Sequence, residues 1–171
     1  DALIAKGQMR PMILVAPDCS NKYRGSWYTN SQVTGGWEDF VTKELVHYVD
    51  DNYRTLATTN SRGIAGHSMG GHGALKLAMR RPDVYGAVYA MSPAFPIFHE
   101  SIVKRLRSRV LKALTLKNWD DFEGLGDDWL TQAVIAAAVA VAPNPNKPPF
   151  YADFPLDPNG GFVERVAQQG Q

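Results

Sequence analysis

The order of apolar runs, glycines and helix-like periods between residues 62 and 93 is the strongest constraint this chain carries. Arg62–His67 is a short, mostly apolar run that leads straight into Ser68. From Gly70 to Arg80 the pattern changes, with Leu75, Ala78 and Met79 recurring on one face until Pro82 stops the helix. Tyr85–Met91 is a second apolar run, closed by Ser92 and Pro93. Strand, helix and strand in that order require parallel strands with the helix packed on their face. Upstream, "PMILVAPD" holds a continuous apolar run, Met12 to Ala16, ended by Pro17 and Asp18. It reads as a third strand, buried on both faces of a parallel sheet. Between them, "WEDFVTKELVHYVDDNYR" places Val41, Leu45, Tyr48 and Val49 at helical spacing, with Thr34 near its start as a cap and Glu38 and Asp39 suiting the positive end of the dipole. The expected fold class is α/β, with a mostly parallel sheet and helices on both faces.

Beyond Pro93 the pattern predicts two helices and then a proline-rich extended piece, "APNPNKPPF". The basic run "KRLRSR" (Lys104–Arg109) is interleaved with Ile102, Val103, Leu106, Val110 and Leu111, as on the wet face of an amphipathic helix. "AVIAAAVAVA", Ala133 to Ala142, is about half of what a membrane-spanning helix requires and reads as a buried helix. The length of 171 residues suits one domain. Eighteen basic against seventeen acidic side chains leave a net charge of +1, which gives no general field for holding nucleic acid. Cys19 is the single cysteine, so no internal disulfide forms, and nothing beside it in the sequence would activate the thiol.

Gly66-His67-Ser68-Met69-Gly70 has the form G-x-S-x-G, set between a strand and a helix. A serine that must present its hydroxyl at the end of a sheet needs a sharp turn, and side chains two residues either side would collide there. Glycine is therefore expected at both Gly66 and Gly70. The Met69 amide, at the helix N-terminus, is placed to donate to a developing oxyanion. The plainer reading is a glycine turn that packs a helix closely on a sheet. A phosphate loop is disfavoured, since neither G-x-x-x-x-G-K-[ST] nor G-x-G-x-x-G is present.

"RGIAGHSMGGHGALKLAMRRPDVYGAVYAMSP", with "ILVAPD" and "GGWEDFVTKELVHYVDDNYR", resembles the esterase family of α/β-hydrolases that holds esterase D (S-formylglutathione hydrolase), feruloyl esterases and the antigen 85 mycolyltransferases. The resemblance is strong from about Met12 to Pro93 and loose afterwards, where "APNPNKPPFYADFPLD" is similar to a segment of bacterial members. It implies an α/β-hydrolase sheet, Ser68 as nucleophile, the Met69 amide as one oxyanion donor, and no metal or organic cofactor. It also implies a late acid and a late histidine. The four histidines are His47, His67, His72 and His99, and none follows His99. His47 is expected on a helix surface and His67 in a structural or pocket-lining place. His72 and His99 are the in-chain substitutes for the base, while Asp153 and Asp157 are candidate acids without the strand-then-turn setting. The family's earlier strand, whose His-Gly-type loop supplies a second oxyanion amide, has no counterpart here.

The expectation is thus one α/β-hydrolase-like domain over residues 1–171, incomplete at both ends, with a core at 11–93 and a helical and proline-rich insert at about 94–150. Its expected function is hydrolysis of carboxylic esters through an acyl-enzyme on Ser68, the triad histidine and acid lying outside this chain. A non-catalytic binding module and an acyltransferase of the same family are the alternatives. The expected partners are a small-molecule ester and another chain or segment that completes the fold, with no nucleic acid and no membrane span. Trp27, Tyr28 and Trp37 are read as packing aromatics, with lining of an acyl pocket as the alternative, and Asp18 as a loop cap. Cytoplasmic and secreted locations both stay open.

Overall fold

The computed structural model describes residues 2–96 and 98–169. A short α1 (Ala2–Ala5) precedes a stretch without regular structure, and a hairpin of two-residue strands, β1 (Asn30–Ser31) against β2 (Gly35–Gly36), leads into a helical run. That run consists of α2 (Trp37–Asp39), a π-turn at Phe40–Glu44 and α3 (Leu45–Asn52). The Asn30 side chain caps it, its Oδ1 accepting from the amides of Glu38 (2.9 Å) and Asp39 (3.2 Å). Thr34, expected as the cap, instead has a buried hydroxyl with no partner. Its carbonyl accepts from the Trp37 indole at 2.8 Å. The hairpin brings Asn30 across to the helix start, a juxtaposition that chain order alone does not reveal.

Next come β3 (Gly63–His67), α4 (Met69–Arg80) and β4 (Ala87–Met91). β3 and β4 pair in parallel, Gly63 opposite Ala87 and His67 opposite Met91, as strand–helix–strand order requires. Leu77, fully buried, packs with Val41, Val84 and Tyr85 between α4, the π-turn and the sheet. The Tyr85 hydroxyl donates to the Val41 carbonyl at 3.1 Å. Lys76 draws in the loop before the hairpin, its ammonium donating to the Tyr28 carbonyl (2.9 Å) and Thr29 Oγ1 (2.8 Å) and lying 3.2 Å from Glu38.

The third strand is absent. Residues 11–20 form no ladder and no helix, and Met12, Ile13, Leu14 and Val15 are exposed, Leu14 by 84%. The sequence is strand-like, but a strand exists only through its neighbours, and among the described residues no backbone pairs with this run. The observed sheet is accordingly small, a parallel pair with α4 alongside.

Among the described residues four helices, not two, follow β4 before the proline-rich piece: α5 (Glu100–Arg105), α6 (Arg107–Thr115), α7 (Trp119–Glu123) and α8 (Trp129–Val141). The basic run is split at Leu106, but its polarity is as expected: Val103 and Val110 are buried, Lys104 and Arg105 exposed. Two side-chain caps account for the additional boundaries. Asn118 accepts from the Asp121 amide at 2.8 Å, and Asp128 accepts from the Thr131 amide at 3.3 Å. Asp128 also takes Arg109 (2.9 Å) and Lys112 (2.7 Å), clamping α6 to the start of α8. Lys112 is the chief reason its carboxyl is lowered to about 2. α8 is the buried helix expected at 133–142, with Ile135 and Val139 fully enclosed. The proline-rich piece folds into turns rather than an extended run, tied by a bridge between Pro143 and Ala152, and α9 (Glu164–Gln169) ends the described chain. No helix among the described residues is long and apolar enough to cross a membrane.

Candidate active site

Ser68 occupies the single-residue turn between β3 and α4, with φ 55° and ψ −116°. A non-glycine residue in this region carries backbone strain on the order of 1–3 kcal/mol and persists only when its surroundings over-determine it. Three backbone bonds do so. The Ser68 amide donates to the Met91 carbonyl at the end of β4 (3.0 Å), and its carbonyl accepts from Ala94 and from His72, each at 3.0 Å. The site is thus held by the neighbouring strand and by the chain that leaves it. Nothing in local sequence marks Met91 or Ala94 for that task, since it is their backbone that acts.

Serine at a helix N-cap ordinarily turns its hydroxyl toward the first amides. Ser68 makes no such cap bond, and the residue is exposed. Its hydroxyl is available to a ligand, beside the first amides of α4, which have no intrahelical acceptor. The chemistry such a turn permits is nucleophilic attack on a carbonyl with stabilisation of the resulting oxyanion.

The two glycines of the motif are not equivalent. A Cβ on Gly66 would fall on the Gly70 backbone carbonyl, so a side chain there forces the backbone of the turn to shift. A Cβ on Gly70 would meet only the Tyr28 hydroxyl at 3.5 Å, an ordinary contact, contrary to the expected collision. The restrictive neighbours are Gly71, where a Cβ would lie 2.8 Å from the Met91 carbonyl, and Gly73, where it would enter the Tyr28 ring. Tyr28 therefore packs directly on α4. Trp27 is buried and Trp37 stacks edge-on with Phe40, as packing residues do, whereas Tyr28 packs on α4 and also lines the cleft that reaches Ser68 and Met69.

The histidines take separate places. His47 is exposed on α3, and His67 is exposed at the end of β3. His99 caps α5, its Nδ1 accepting from the Ser101 amide at 3.3 Å and lying 2.9 Å from Ser101 Oγ. His72, on the first turn of α4, lies edge-on between Trp27 and Phe95 with centroids 5.7 and 5.5 Å away. Its Nδ1 is buried without a partner. Burial, helped by the Lys76 charge, lowers its pKa to about 4, so the ring is neutral near pH 7. Among the described residues none of the four rings is hydrogen-bonded to Ser68. Asp153 is held by Lys147 (2.6 Å) and Arg165 (2.9 Å). Its burial raises the pKa, but these ion pairs and Asn144 outweigh it and bring the carboxyl to about 2. Asp157 accepts from the amides of Asn159 and Gly161, each at 2.8 Å. Both acids serve the loop and α9.

Asp18 is a loop cap, accepting from the Ser20 amide (2.9 Å) and hydroxyl (2.6 Å). Burial, then the Asp18 charge, raises the Cys19 pKa, which suits an idle thiol. No cluster of three or more potential metal ligands occurs among the described residues.

With this geometry in hand, the relatives are informative. The sequence matches the Esterase family, described as Putative esterase, over residues 1–109. The chain belongs to that family. Esterase Rv1288 of Mycobacterium tuberculosis is 40% identical over 75 residues, which is 42% of this chain and 16% of that protein. The S-formylglutathione hydrolase of Arabidopsis thaliana is 47% identical over 55 residues, 32% of this chain and 19% of the relative. That of Bos taurus is 42% identical over 67 residues, 39% and 22% respectively. The matched segments thus span less than a quarter of each of these relatives.

Proposed function

We propose that this chain is part of a serine hydrolase of carboxylic esters, with Ser68 as its nucleophile. The observation that carries the reading is a serine at positive φ on a strand-to-helix turn whose hydroxyl is exposed and not spent on capping its own helix. Family membership and relatives named as esterases and S-formylglutathione hydrolases support it. On this reading residues 1–171 belong to one α/β-hydrolase-like domain, with the sheet and the serine turn within 11–93 and a helical and proline-rich insert at about 94–150.

In the proposed reaction Ser68 Oγ attacks the ester carbonyl carbon. The C=O π pair moves to oxygen, where the Met69 N–H donates to the tetrahedral oxyanion. As the carbonyl re-forms, the C–O bond to the alcohol breaks, and the proton taken from Ser68 leaves with that alcohol. Water repeats the attack on the acyl-enzyme and restores the serine. The histidine that carries the proton and the acid that orients it lie outside residues 1–171. His72 and His99 are poor substitutes, one packed edge-on between two aromatic rings and the other engaged as a cap.

Turnover of a short p-nitrophenyl ester by the intact protein tests this reading, with Ser68→Ala expected to abolish it. An added alcohol acceptor separates hydrolysis from acyl transfer by product analysis. An inert intact protein would mark the domain as a binding module instead.

A further inference from the structure

Ser68 is bracketed by the segment that leaves β4. Its amide donates to the Met91 carbonyl and its carbonyl accepts from the Ala94 amide, each at 3.0 Å. Between those two residues Ser92 has φ 42°, another non-glycine residue held in the left-handed region beside the first. Gly71 leaves room for this segment, since a Cβ there would lie 2.8 Å from the Met91 carbonyl and 3.1 Å from Pro93 Cα. Two strained serines on facing chains persist only where their surroundings outweigh their preference for other conformations.

The side chains next to the bracket supply that hold. The Ser68 carbonyl also accepts from the His72 amide, at 3.0 Å, so one oxygen ties α4 to the segment after β4. Phe95, adjoining Ala94, lies edge-on to His72 with ring centroids 5.5 Å apart and planes at 85°. The ring contact therefore joins the same two chains whose amides meet on the Ser68 carbonyl. Trp27, buried and at φ 51°, is the second ring on His72, at 5.7 Å and 71°. Aromatic pairs in this geometry attract beyond what their buried area contributes. Phe95 is 46% exposed, so the stability of the core gives little reason for its place. The His72 Nδ1, buried without a partner, adds no hydrogen bond to the contact.

We infer that His72 and Phe95 are positioning residues for the nucleophile. Their ring contact keeps the bracket closed, and the closed bracket keeps Ser68 in the conformation that leaves its hydroxyl free of the helix. The inference rests on the reading of Ser68 as nucleophile, but the contact itself can be tested without it.

Two readouts on the intact protein carry the test. By NMR, Phe95→Ala is expected to speed exchange of the His72 and Ala94 amides about three- to tenfold, with the Arg81 amide at the far end of α4 unchanged. Phosphonylation of Ser68 by ethyl and octyl fluorophosphonates should slow by a common factor for both probes. The loss should fall on the maximal rate, not on the probe concentration that half-saturates it. Phe95→Tyr, which keeps the ring, should restore both parental values. His72→Ala should slow labelling at least as much as Phe95→Ala, and the double variant no further than His72→Ala alone. Unchanged exchange at both amides overturns the inference. So does slowing that depends on probe chain length, which would make Phe95 a ligand contact, and so do additive losses in the double variant. A parent without an adduct at Ser68 instead ends the nucleophile reading, and exchange in Phe95→Ala then decides alone whether the rings hold the turn.

Discussion

The two halves of this chain bury their apolar side chains to very different extents. From α5 onward the core closes on itself: Phe122, Val110, Ile135, Val139 and Val166 are essentially sealed, and charges such as Asp128 and Asp153 sit in paired, satisfied surroundings. The sheet region does the reverse. Met12–Val15 on one flank and Val88, Tyr89 and Met91 of β4 on the other are exposed, although their composition is that of a sheet interior. Yet this open half contains the most tightly specified backbone, the turn at Ser68. Local geometry is fixed by a few hydrogen bonds and glycines, whereas burial requires a partner. A turn can therefore be closely fixed where the side chains around it are left exposed.

Phe122→Ala should show the contrast most strongly. It empties a fully buried site among Trp119 and Phe150, and is expected to cost about 3–5 kcal/mol in denaturant unfolding. Gly66→Ala is expected to follow, losing about 1–3 kcal/mol by driving a methyl into the Gly70 carbonyl, with Gly70→Ala close to neutral. Equal losses at the two glycines would mean that the turn is not shaped as described. Asn30→Ala removes the cap shared by Glu38 and Asp39 and should lower stability by about 1 kcal/mol. Leu14→Ala marks the other extreme, within about 0.5 kcal/mol of the parent, because the side chain is already in water.

Acid should act on the two halves in separate windows. The fold lowers the His72 pKa from 6.5 to about 4, so the unfolded chain binds that proton more readily. The associated stability is present above about pH 6.5 and is lost as pH falls toward 4. Asp128 and Asp153, both lowered to about 2, contribute stability that is lost only below their unfolded value of 3.8. Thermal melts of His72→Phe should lose the upper window and keep the lower.

Much of the strand–turn–helix unit was legible in the sequence, because period and punctuation act locally there. The strand before Ser68, the helix stopped near Pro82 and the strand closed by Ser92 were each expected within about two residues. Met12–Ala16 shows where that legibility ends: composition reports how well a segment would suit a sheet interior, not whether neighbours are present to pair with it. The cap at Asn30 and the close approaches at Gly71 and Gly73 were illegible for a related reason, since each depends on a segment brought in from elsewhere. For the site, the sequence pointed to Ser68 and Met69, while the bonds that hold the turn come from the backbone of Met91 and Ala94, which no residue type announces.

The central claim is that the hydroxyl at this turn is a nucleophile. Treating the intact protein with a fluorophosphonate and mapping the adduct by peptide mass spectrometry tests it most directly. The account predicts one phosphonylated residue, Ser68, and no adduct in Ser68→Ala. An adduct on a different residue, or labelling that persists in that variant, would contradict it.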